Sequence, residues 1–351
     1  MSPTKWLETD TVLARGAHWF RGSGIQESSG GVARYYRSDL GKNHRISTEI
    51  TGYAVSSFLF LGRPAEAAAA AHFLTGQALK GGAMPFELEP AEHSYFFDCG
   101  IIARGLVAAW RATGEQDFLD IASAVGNGML ADFAAADGSY YPVIRLPKKE
   151  PIPRDPLRWS QSPGCYQLKA ALGWYELFEA TGETGFLHAY YGLCESALRE
   201  YGTFLPGHSD PAKIVDRLHA FLYFLEGLLP RAEESSARAA LGEGIRQVAA
   251  YADELRPHLE RSDVYAQLLR LRIFADGLGA VRLDRAAAQR EAVTLVEFQA
   301  ESQDPRVDGG FYFGRKAGEF LPYISPVSTA FALQALALYC GDATPDWHQL
   351  V

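Results

Sequence analysis

The sequence predicts an all-α (α/α)6 toroid, a ring of six helical hairpins with inner and outer helices and short Gly-rich turns on one face. Three observations predict this fold. Gly-rich aromatic turns recur at 30–36, 81–87, 137–144 and 308–314. Apolar helical patterns follow these turns and alternate with more polar helical patterns. The spacing of roughly 50–60 residues is typical of repeated supersecondary units, and six units favour a closed ring with a central funnel.

Two of the predicted hairpins contain nearly identical joints. They read RATGEQDFLDIA at 111–122 and EATGETGFLHAY at 179–190. In each joint the glycine predicts a left-handed cap that ends a helix, and a phenylalanine (Phe118 or Phe186) predicts the return to the core. These joints are the strongest internal evidence for repetition.

The elements follow from hydrophobic periodicity and from start and stop signals. Inner helices are predicted at 48–61, 92–113, 164–181, 212–229, 263–277 and 325–339. Outer helices are predicted at 64–79, 115–134, 183–201, 233–255 and 281–299.

The sixth inner helix has no outer helix after it, so we expect an N-terminal helix at 5–22 to close the ring. The alternative is an open right-handed stack of hairpins. The residues expected to meet at the closure are Trp6, Val12, Phe20, Phe331, Leu333 and Leu336.

Length and composition favour one globular domain over residues 1–351. Hydrophobic residues make up 48% of the chain and charged residues 21%. A chain of 351 residues exceeds the ~250–300 residues at which single cores usually stop growing. A toroid avoids that limit because each hairpin packs only on its neighbours and on the shared centre.

The charge pattern and the termini exclude several classes of partner. The net charge is −9 and no basic stripe is present, so nucleic acid is not an expected ligand. The first residues lack the apolar core of a signal peptide, and no run of ~18 apolar residues predicts a membrane span. Four cysteines without a CxxC pair are typical of reduced thiols in the cytoplasm. The sequence predicts no metal site and no cofactor, and it leaves the oligomeric state open.

Residues 146–164 form the longest loop, and their prolines exclude a helix or a central strand. A functional lid and a solvated connector are both open interpretations.

The candidate site follows from the ring geometry. The turns before the inner helices gather on one face, where helix N-termini present free N–H groups to the funnel. Glu226 and Asp276 are placed near helix C-termini, away from this face. The candidate catalytic residues on this face are Glu49, Tyr53, Asp98, His219 and Tyr265.

The remaining polar and aromatic residues of this face are candidates for substrate binding. Aromatic rings pack on sugar rings, while arginine binds carboxylates in a bidentate manner. Helix capping alone would also explain Glu49, and a hydrogen-bonded core residue is the alternative for His219. The candidates are Arg34, Tyr35, His93, Tyr95, Tyr141, Arg145, Trp159, Gln161, Tyr166, Arg217, Tyr223, Asp263, Gln267, Tyr312 and Tyr323.

The order of five motifs resembles a group of bacterial proteins found with capsule and O-antigen polysaccharide genes. The motifs are GGV at 30–32, EITGY at 49–53, DCG at 98–100, HAFLYFLEGLL at 219–229 and DGGFYFG at 308–314. That group is similar to the (α/α) toroid of glucuronyl epimerases and, more distantly, to polysaccharide lyases and six-hairpin glycosidases. The resemblance implies carbohydrate chemistry.

Three functions remain open. The first is an epimerase- or lyase-like enzyme that moves a proton beside the carboxyl group of an acidic glycan or sugar. The second is a glycoside hydrolase with two carboxylates across the funnel, Glu49 with Asp98 or with Asp263. The third is a non-catalytic toroid that binds or scaffolds a glycan in a polysaccharide pathway. Motifs of P-loop, zincin, hydrolase-elbow and terpene-cyclase type are absent.

Overall fold

The computed structural model describes residues 9–156 and 158–351, and these form twelve α-helices. The six inner helices are α2 (Thr48–Phe60), α4 (Phe96–Thr113), α6 (Leu168–Thr181), α8 (Pro211–Gly227), α10 (Ser262–Gly277) and α12 (Pro326–Cys340). The six outer helices are α1 (Thr9–Gly22), α3 (Pro64–Gln77), α5 (Gln116–Asp132), α7 (Thr184–Glu200), α9 (Ser235–Leu255) and α11 (Arg285–Val296). The predicted toroid is confirmed.

The ring closes where the last inner helix meets the first. Helix α12 contacts α10 on one side and α2 on the other, and α1 packs behind it. Gly16 of α1 lies directly against the Leu333 side chain, and Trp19 and Phe20 are buried. The alternative of an open stack is therefore wrong, and α1 closes the ring as predicted. Trp6, the first residue expected at this contact, lies outside the described residues.

Both ATGE joints have the predicted geometry. Gly114 and Gly182 each adopt a left-handed conformation with a φ of 76°, and their amides bond back to the preceding helix. Phe118 and Phe186 are buried at the start of the following outer helix. The near-identical sequences therefore build the same turn twice.

Three short antiparallel sheets lie before the N-termini of inner helices. The first contains β1 (Tyr36–Arg37), β2 (Lys42–Asn43) and β9 (Tyr323–Ile324), and it links the first turn to the last. The second contains β3 (His93–Tyr95), β4 (Val143–Arg145) and β5 (Glu150–Pro151). The third contains β6 (Glu260–Arg261), β7 (Gly314–Lys316) and β8 (Glu319–Phe320).

Several predicted boundaries are wrong. Residues 93–95 form β3 instead of the first turn of α4, because their backbone pairs with β4. Residues 165–167 form a 3-10 turn before α6. Helix α11 starts at Arg285, four residues later than predicted, because the Asp284 carboxylate caps it by accepting from the amides of Ala286 and Ala287.

Glycines bring neighbouring inner helices into close contact. A Cβ on Gly100 of α4 would lie 2.3 Å from the backbone oxygen of Ala170 in α6. A Cβ on Gly105 would lie 2.6 Å from the backbone oxygen of Gly52 in α2. No other residue fits at these contacts without moving a helix. No helix within residues 9–156 or 158–351 combines the length and apolar character needed to cross a bilayer.

Candidate functional site

A cavity of about 330 Å³, here called the main cavity, opens at the N-terminal ends of the inner helices. Glu49 and Asp263 are each the second residue of their helices, and Ser325 is the N-cap of α12. The lining residues are Arg34, Tyr35, Glu49, Ile50, His219, Tyr223, Arg261, Asp263, Phe313, Tyr323, Ser325 and Val327.

Seven of these were singled out from sequence: Arg34, Tyr35, Glu49, His219, Tyr223, Asp263 and Tyr323. The sequence reasoning missed the other five. Arg261 precedes α10 and Ser325 precedes α12, so both occupy the type of position that the ring geometry indicates. A search of the residue directly before each inner helix would have found Arg261 and Ser325.

Glu49 on α2 lines one side of the main cavity, and Asp98 on α4 is buried near Glu49 without lining the cavity; these two residues are here called the carboxylate wall. Burial raises the pKa of Glu49, although Arg34 and Lys169 act against that rise. Burial also raises the pKa of Asp98 well above its usual range, and the nearby Glu49 carboxylate adds to it. Asp98 is buried, and its Oδ2 has no hydrogen-bond partner among the described residues. Burial therefore shifts both carboxyls of this wall towards their protonated form.

Arg34 lies beside the carboxylate wall and remains available to a ligand. Its guanidinium sits over the ring of Phe86, 5.3 Å from the centroid, and Phe86 packs on Tyr95. The side chain is exposed and forms no ion pair with any residue in the described part of the chain. An arginine in this state can bind a carboxylate of an incoming molecule.

The opposite side, here called the histidine wall, consists of His219 on α8 with Arg261 and Asp263 at the start of α10. His219 Nδ1 lies 2.6 Å from Gln267 Oε1, and Gln267 Nε2 donates to Glu226 Oε2 at 3.3 Å. The bond to Glu226 orients the amide, so Nδ1–H of His219 donates and its Nε2 carries the lone pair. Burial lowers the pKa of His219 to about 4, against the pull of Asp263, so the ring is neutral at pH 7.

Arg261 holds Asp263 in place. Arg261 Nε and Nη2 donate to the two carboxylate oxygens of Asp263 at 3.0 and 2.6 Å, and Nη1 donates to Asp216 at 2.5 Å. Burial alone would raise the pKa of Asp263, but Arg261 and His219 hold it below its usual value. Asp263 is therefore ionised, and both of its oxygens are engaged.

The two walls face each other across the ring. The inner helices succeed one another in the order α2, α4, α6, α8, α10, α12, so α8 lies three positions from α2 in a ring of six. Helix α10 likewise lies three positions from α4 and therefore opposite it. Glu49 and His219 therefore enter the main cavity from opposite sides.

A fully buried charged cluster of Lys169, Glu226 and Arg270 connects α6, α8 and α10. Lys169 Nζ donates to Glu226 Oε2 at 2.7 Å, and Arg270 Nε donates to Glu226 Oε1 at 2.7 Å. Lys169 Nζ also lies 5.2 Å from the ring centre of Tyr53 and 4.9 Å from that of Tyr223. Glu226 lies at the C-terminal end of α8, as predicted, and does not line the main cavity, but it orients the amide that holds His219.

Tyr53 and Tyr166 are buried close to the site and do not line the main cavity. Burial raises the pKa of Tyr53 well above its usual value, and Tyr223 and Glu49 add to the rise. The Tyr166 hydroxyl donates to the backbone oxygen of Ser162 at 3.0 Å. Gln267 is fully buried and acts through His219. Tyr53, Tyr166 and Gln267 therefore lie beneath or beside the cavity surface, and none of them lines it.

Tyr265 points away from the main cavity. It lines a separate space between α9, α10 and α11, and its hydroxyl donates to Glu260 at 3.0 Å. The reason is helical phase: two residues of a helix are about 200° apart, so Tyr265 faces outward when Asp263 faces inward. Gln267, four residues after Asp263, returns to the inner face.

The other predicted residues lie around the entrance or outside it. Tyr95, His93 and Arg145 belong to the β3–β4 pair, and Gln161 lies in a 3-10 turn. Trp159 and Arg217 line another cavity next to Asp216. The rings of Tyr141 and Tyr312 are engaged elsewhere, by Arg154 and Phe320 respectively.

Within the described part of the chain, no group of three His, Cys, Asp or Glu residues could hold a metal ion. The chemistry available on these residues is proton transfer by a neutral imidazole and by carboxyls with raised pKa values, beside a guanidinium that can bind negative charge.

Comparison with known proteins gives matches in structure alone. No family model matches the sequence, and no curated protein matches it. A sugar epimerase from a ruminal bacterium superposes with a TM-score of 0.72 at 11% identity, over 97% of this chain and 99% of the other. A D-mannose isomerase gives 0.70 at 10% identity, over 96% and 98%. Cellobiose 2-epimerase from Bacillus thermoamylovorans B4167 gives 0.69 at 13% identity, over 95% and 99%. At this identity the likeness establishes the (α/α)6 fold along nearly the whole chain.

Proposed function

We propose that this protein is a carbohydrate-active enzyme that moves a proton on an acidic sugar or glycan, with epimerase- or lyase-like chemistry. One observation carries the proposal: a neutral histidine and a carboxyl with a raised pKa face each other across one cavity. Sugar epimerases and an isomerase share the fold, which supports a carbohydrate substrate. The resemblance to proteins of polysaccharide gene clusters supports the same class.

His219 is the base of the proposed reaction. Its Nδ1–H is held by Gln267, which leaves the Nε2 lone pair to accept a proton from the carbon beside a carboxylate or carbonyl. The electron pair of the broken C–H bond moves onto the carboxyl or carbonyl oxygen and forms an enolate. Arg34, which no described residue neutralises, stabilises that charge.

Glu49 is the acid. Burial raises the pKa of its carboxyl, which favours the protonated form, and Glu49 enters from the side opposite His219. Protonation of the enolate carbon by Glu49 inverts the configuration and gives an epimer. If the enolate instead expels the oxygen substituent two carbons from the carboxyl group, that oxygen takes the proton of Glu49 as it leaves, and the product is an unsaturated sugar. After either step His219 releases its proton to solvent and Glu49 takes one up, and the nearby Asp98, whose pKa is also raised, can pass that proton to it.

A glycoside hydrolase is the second candidate, supported by the contrast between the raised pKa of Glu49 and the lowered pKa of Asp263 in the same cavity. It is the weaker candidate because both oxygens of Asp263 already accept hydrogen bonds from Arg261. A carboxylate in that state is a poor nucleophile and a poor base.

The test is deuterium exchange in D₂O with oligosaccharides that contain uronate, followed by NMR. We expect deuterium at the carbon beside the carboxyl group, together with an epimer or an ultraviolet-absorbing unsaturated product. His219→Ala and Glu49→Gln should each reduce exchange by about 10²–10⁴-fold, the usual contribution of a general acid or base. His188→Ala and Glu195→Gln, exposed on the outer helix α7, are the matched controls.

Three outcomes would overturn the proposal. Release of reducing ends without deuterium at carbon would favour the hydrolase. Tight binding without exchange or hydrolysis would favour the non-catalytic toroid. Deuterium exchange with cellobiose or mannose, and none with any uronate, would show that the substrate is not acidic.

A further inference from the structure

A second cavity, here called the basic cavity, lies beside the main cavity and is not used by the proposed reaction. It has a volume of about 280 Å³. Its wall carries Arg158, Lys213 and Arg217 together with His208, and Asp216 is its one carboxylate among the described lining residues. In a chain with a net charge of −9, this concentration of positive charge marks a place for an anion.

The one carboxylate of the basic cavity is already engaged. Asp216 Oδ2 accepts from Trp159 Nε1 at 2.6 Å, and Oδ1 accepts from Arg261 at 2.5 Å. Lys213 is exposed and forms no ion pair within the described part of the chain. His208 Nδ1 accepts from the amide of Asp210 at 2.8 Å, so its proton lies on Nε2 and can be donated outward. Donors for an anion therefore remain free.

The two cavities share a wall. Asp216 lines the basic cavity, and its partner Arg261 lines the main cavity. Helix α8 runs along both cavities, with Lys213, Asp216 and His219 at intervals of three residues. Lys213 and Asp216 line the basic cavity, and His219 lines the main cavity. The helix rises about 9 Å from Lys213 to His219, a distance that one or two linked sugar rings can cover.

Trp159 gives the basic cavity a flat apolar surface. Its ring packs edge-on against Tyr166 at a centroid distance of 4.9 Å, and its indole N–H is bonded to Asp216. The ring is thus fixed from two sides while part of it stays exposed. A fixed aromatic face beside free cations is suited to a sugar unit that carries negative charge.

We infer that the basic cavity is a subsite for an anionic unit joined to the reacting sugar. Lys213 and His208 bind the negative group, and Trp159 packs on the ring that carries it. This inference rests on the proposed function and names its substrate class: a chain of at least two units, with a carboxylate or a phosphate next to the reacting sugar.

Binding by calorimetry tests the inference without requiring turnover. The ligands are a disaccharide of two uronates, a disaccharide with uronate only at the reacting end, and a uronate linked to a sugar phosphate. For the doubly charged ligands, Lys213→Ala should weaken binding by about fivefold to tenfold, as expected for one charge-assisted contact. Lys213→Glu should weaken it further. Lys80→Ala, an exposed lysine away from both cavities, is the control.

The ligand arms identify the anion. A loss seen only with the double uronate assigns a carboxylate, and a loss seen only with the sugar phosphate assigns a phosphate. Equal affinities of wild type and Lys213→Glu for every ligand would overturn the subsite. Equal affinities of the wild type for the singly and the doubly charged ligands would overturn it as well. Deuterium exchange on the singly charged disaccharide reports the proposed function separately, so the two can fail independently.

Discussion

The two walls of the main cavity use the same kinds of side chain in opposite ways. On the carboxylate wall, Glu49 and Asp98 have few partners, and burial raises the pKa of both. On the histidine wall, Asp263 is just as buried, yet Arg261 and His219 hold its pKa below the usual value. Burial alone therefore does not decide the protonation state of a carboxyl in this cavity; the hydrogen-bond partners decide it.

The two walls also differ in what they contribute to stability and to chemistry. The histidine wall satisfies its polar groups and therefore fixes the geometry of His219. The carboxylate wall leaves Asp98 Oδ2 unpaired, which costs stability and keeps a proton available. Sites that hold such unpaired buried groups are characteristic of function.

The largest effect is expected from breaking the histidine wall with Arg261→Met. The substitution leaves Asp263 buried without its bidentate partner, and removal of one partner from a buried pair costs about 3–5 kcal/mol. Denaturant unfolding should show a loss of this size, while Arg246→Met on the exposed face of α9 should change little. A loss below about 1 kcal/mol, the range of surface ion pairs, would show that Asp216 and His219 compensate for Arg261.

On the carboxylate wall, Asp98→Asn should stabilise the protein at pH 7, because the amide carries no charge, whereas burial disfavours the charged form of the Asp98 carboxyl. Because the pKa of Asp98 is raised in the folded state, the folded protein binds this proton more tightly than the unfolded chain. Wild-type stability should therefore fall as pH rises above about 3.8, and the variant should lack this part of the fall. Equal pH profiles of the unfolding free energy would contradict the raised pKa.

Local signals in the sequence were enough to predict the ring. Helical periodicity and the ATGE joints identify the hairpins, because the αL glycine and the phenylalanine after it act within a few residues. The same logic placed Glu49 correctly at the N-terminal end of α2, whereas His219 lies in the middle of α8. Predictions failed where a residue's partner is remote, as at 93–95, whose pairing strand β4 lies about fifty residues further along the chain.

The site was predicted less completely because pairing and helical phase depend on the assembled ring. Lys169, Glu226 and Arg270 lie within apolar stretches of three different helices. A charged residue in such a stretch signals a buried partner. Nothing local says which residue that partner is. The Tyr265 error is one of phase, since the inward face of α10 is defined only once Asp263 is known to face the cavity.

Gln267→Glu should alter the charge of the histidine wall, and it also replaces the N–H that donates to Glu226 with a carboxylate oxygen. A carboxylate in place of the amide next to Nδ1 favours the imidazolium, so the pKa of His219 should rise from about 4 by roughly one unit. The groups that already act on this ring are Asp263, Arg261 and Asp216. NMR titration of the imidazole measures the pKa directly.

The same variant should change the acid stability of the protein. Burial holds the pKa of His219 in the folded state below its value of 6.5 in the unfolded chain. The unfolded chain therefore binds more protons as pH falls from 6.5 towards 4, and stability is lost over that range. Gln267→Glu should reduce this loss. An unchanged His219 pKa in the variant would show that Gln267 does not contact Nδ1 in solution.

The smallest effect is expected where the histidine wall meets the loop at 146–164. Trp159→Phe keeps an aromatic ring against Tyr166 and removes the hydrogen bond from the indole N–H to Asp216. Asp216 keeps its bond to Arg261, so the cost should be about 1.5–3 kcal/mol or less, the range for a hydrogen bond to a charged group. Thermal unfolding of Trp159→Phe, with Trp110→Phe of α4 as the matched change elsewhere, measures the difference. A loss as large as that of Arg261→Met would mean that the loop, and not Arg261, holds Asp216 and through it the whole histidine wall.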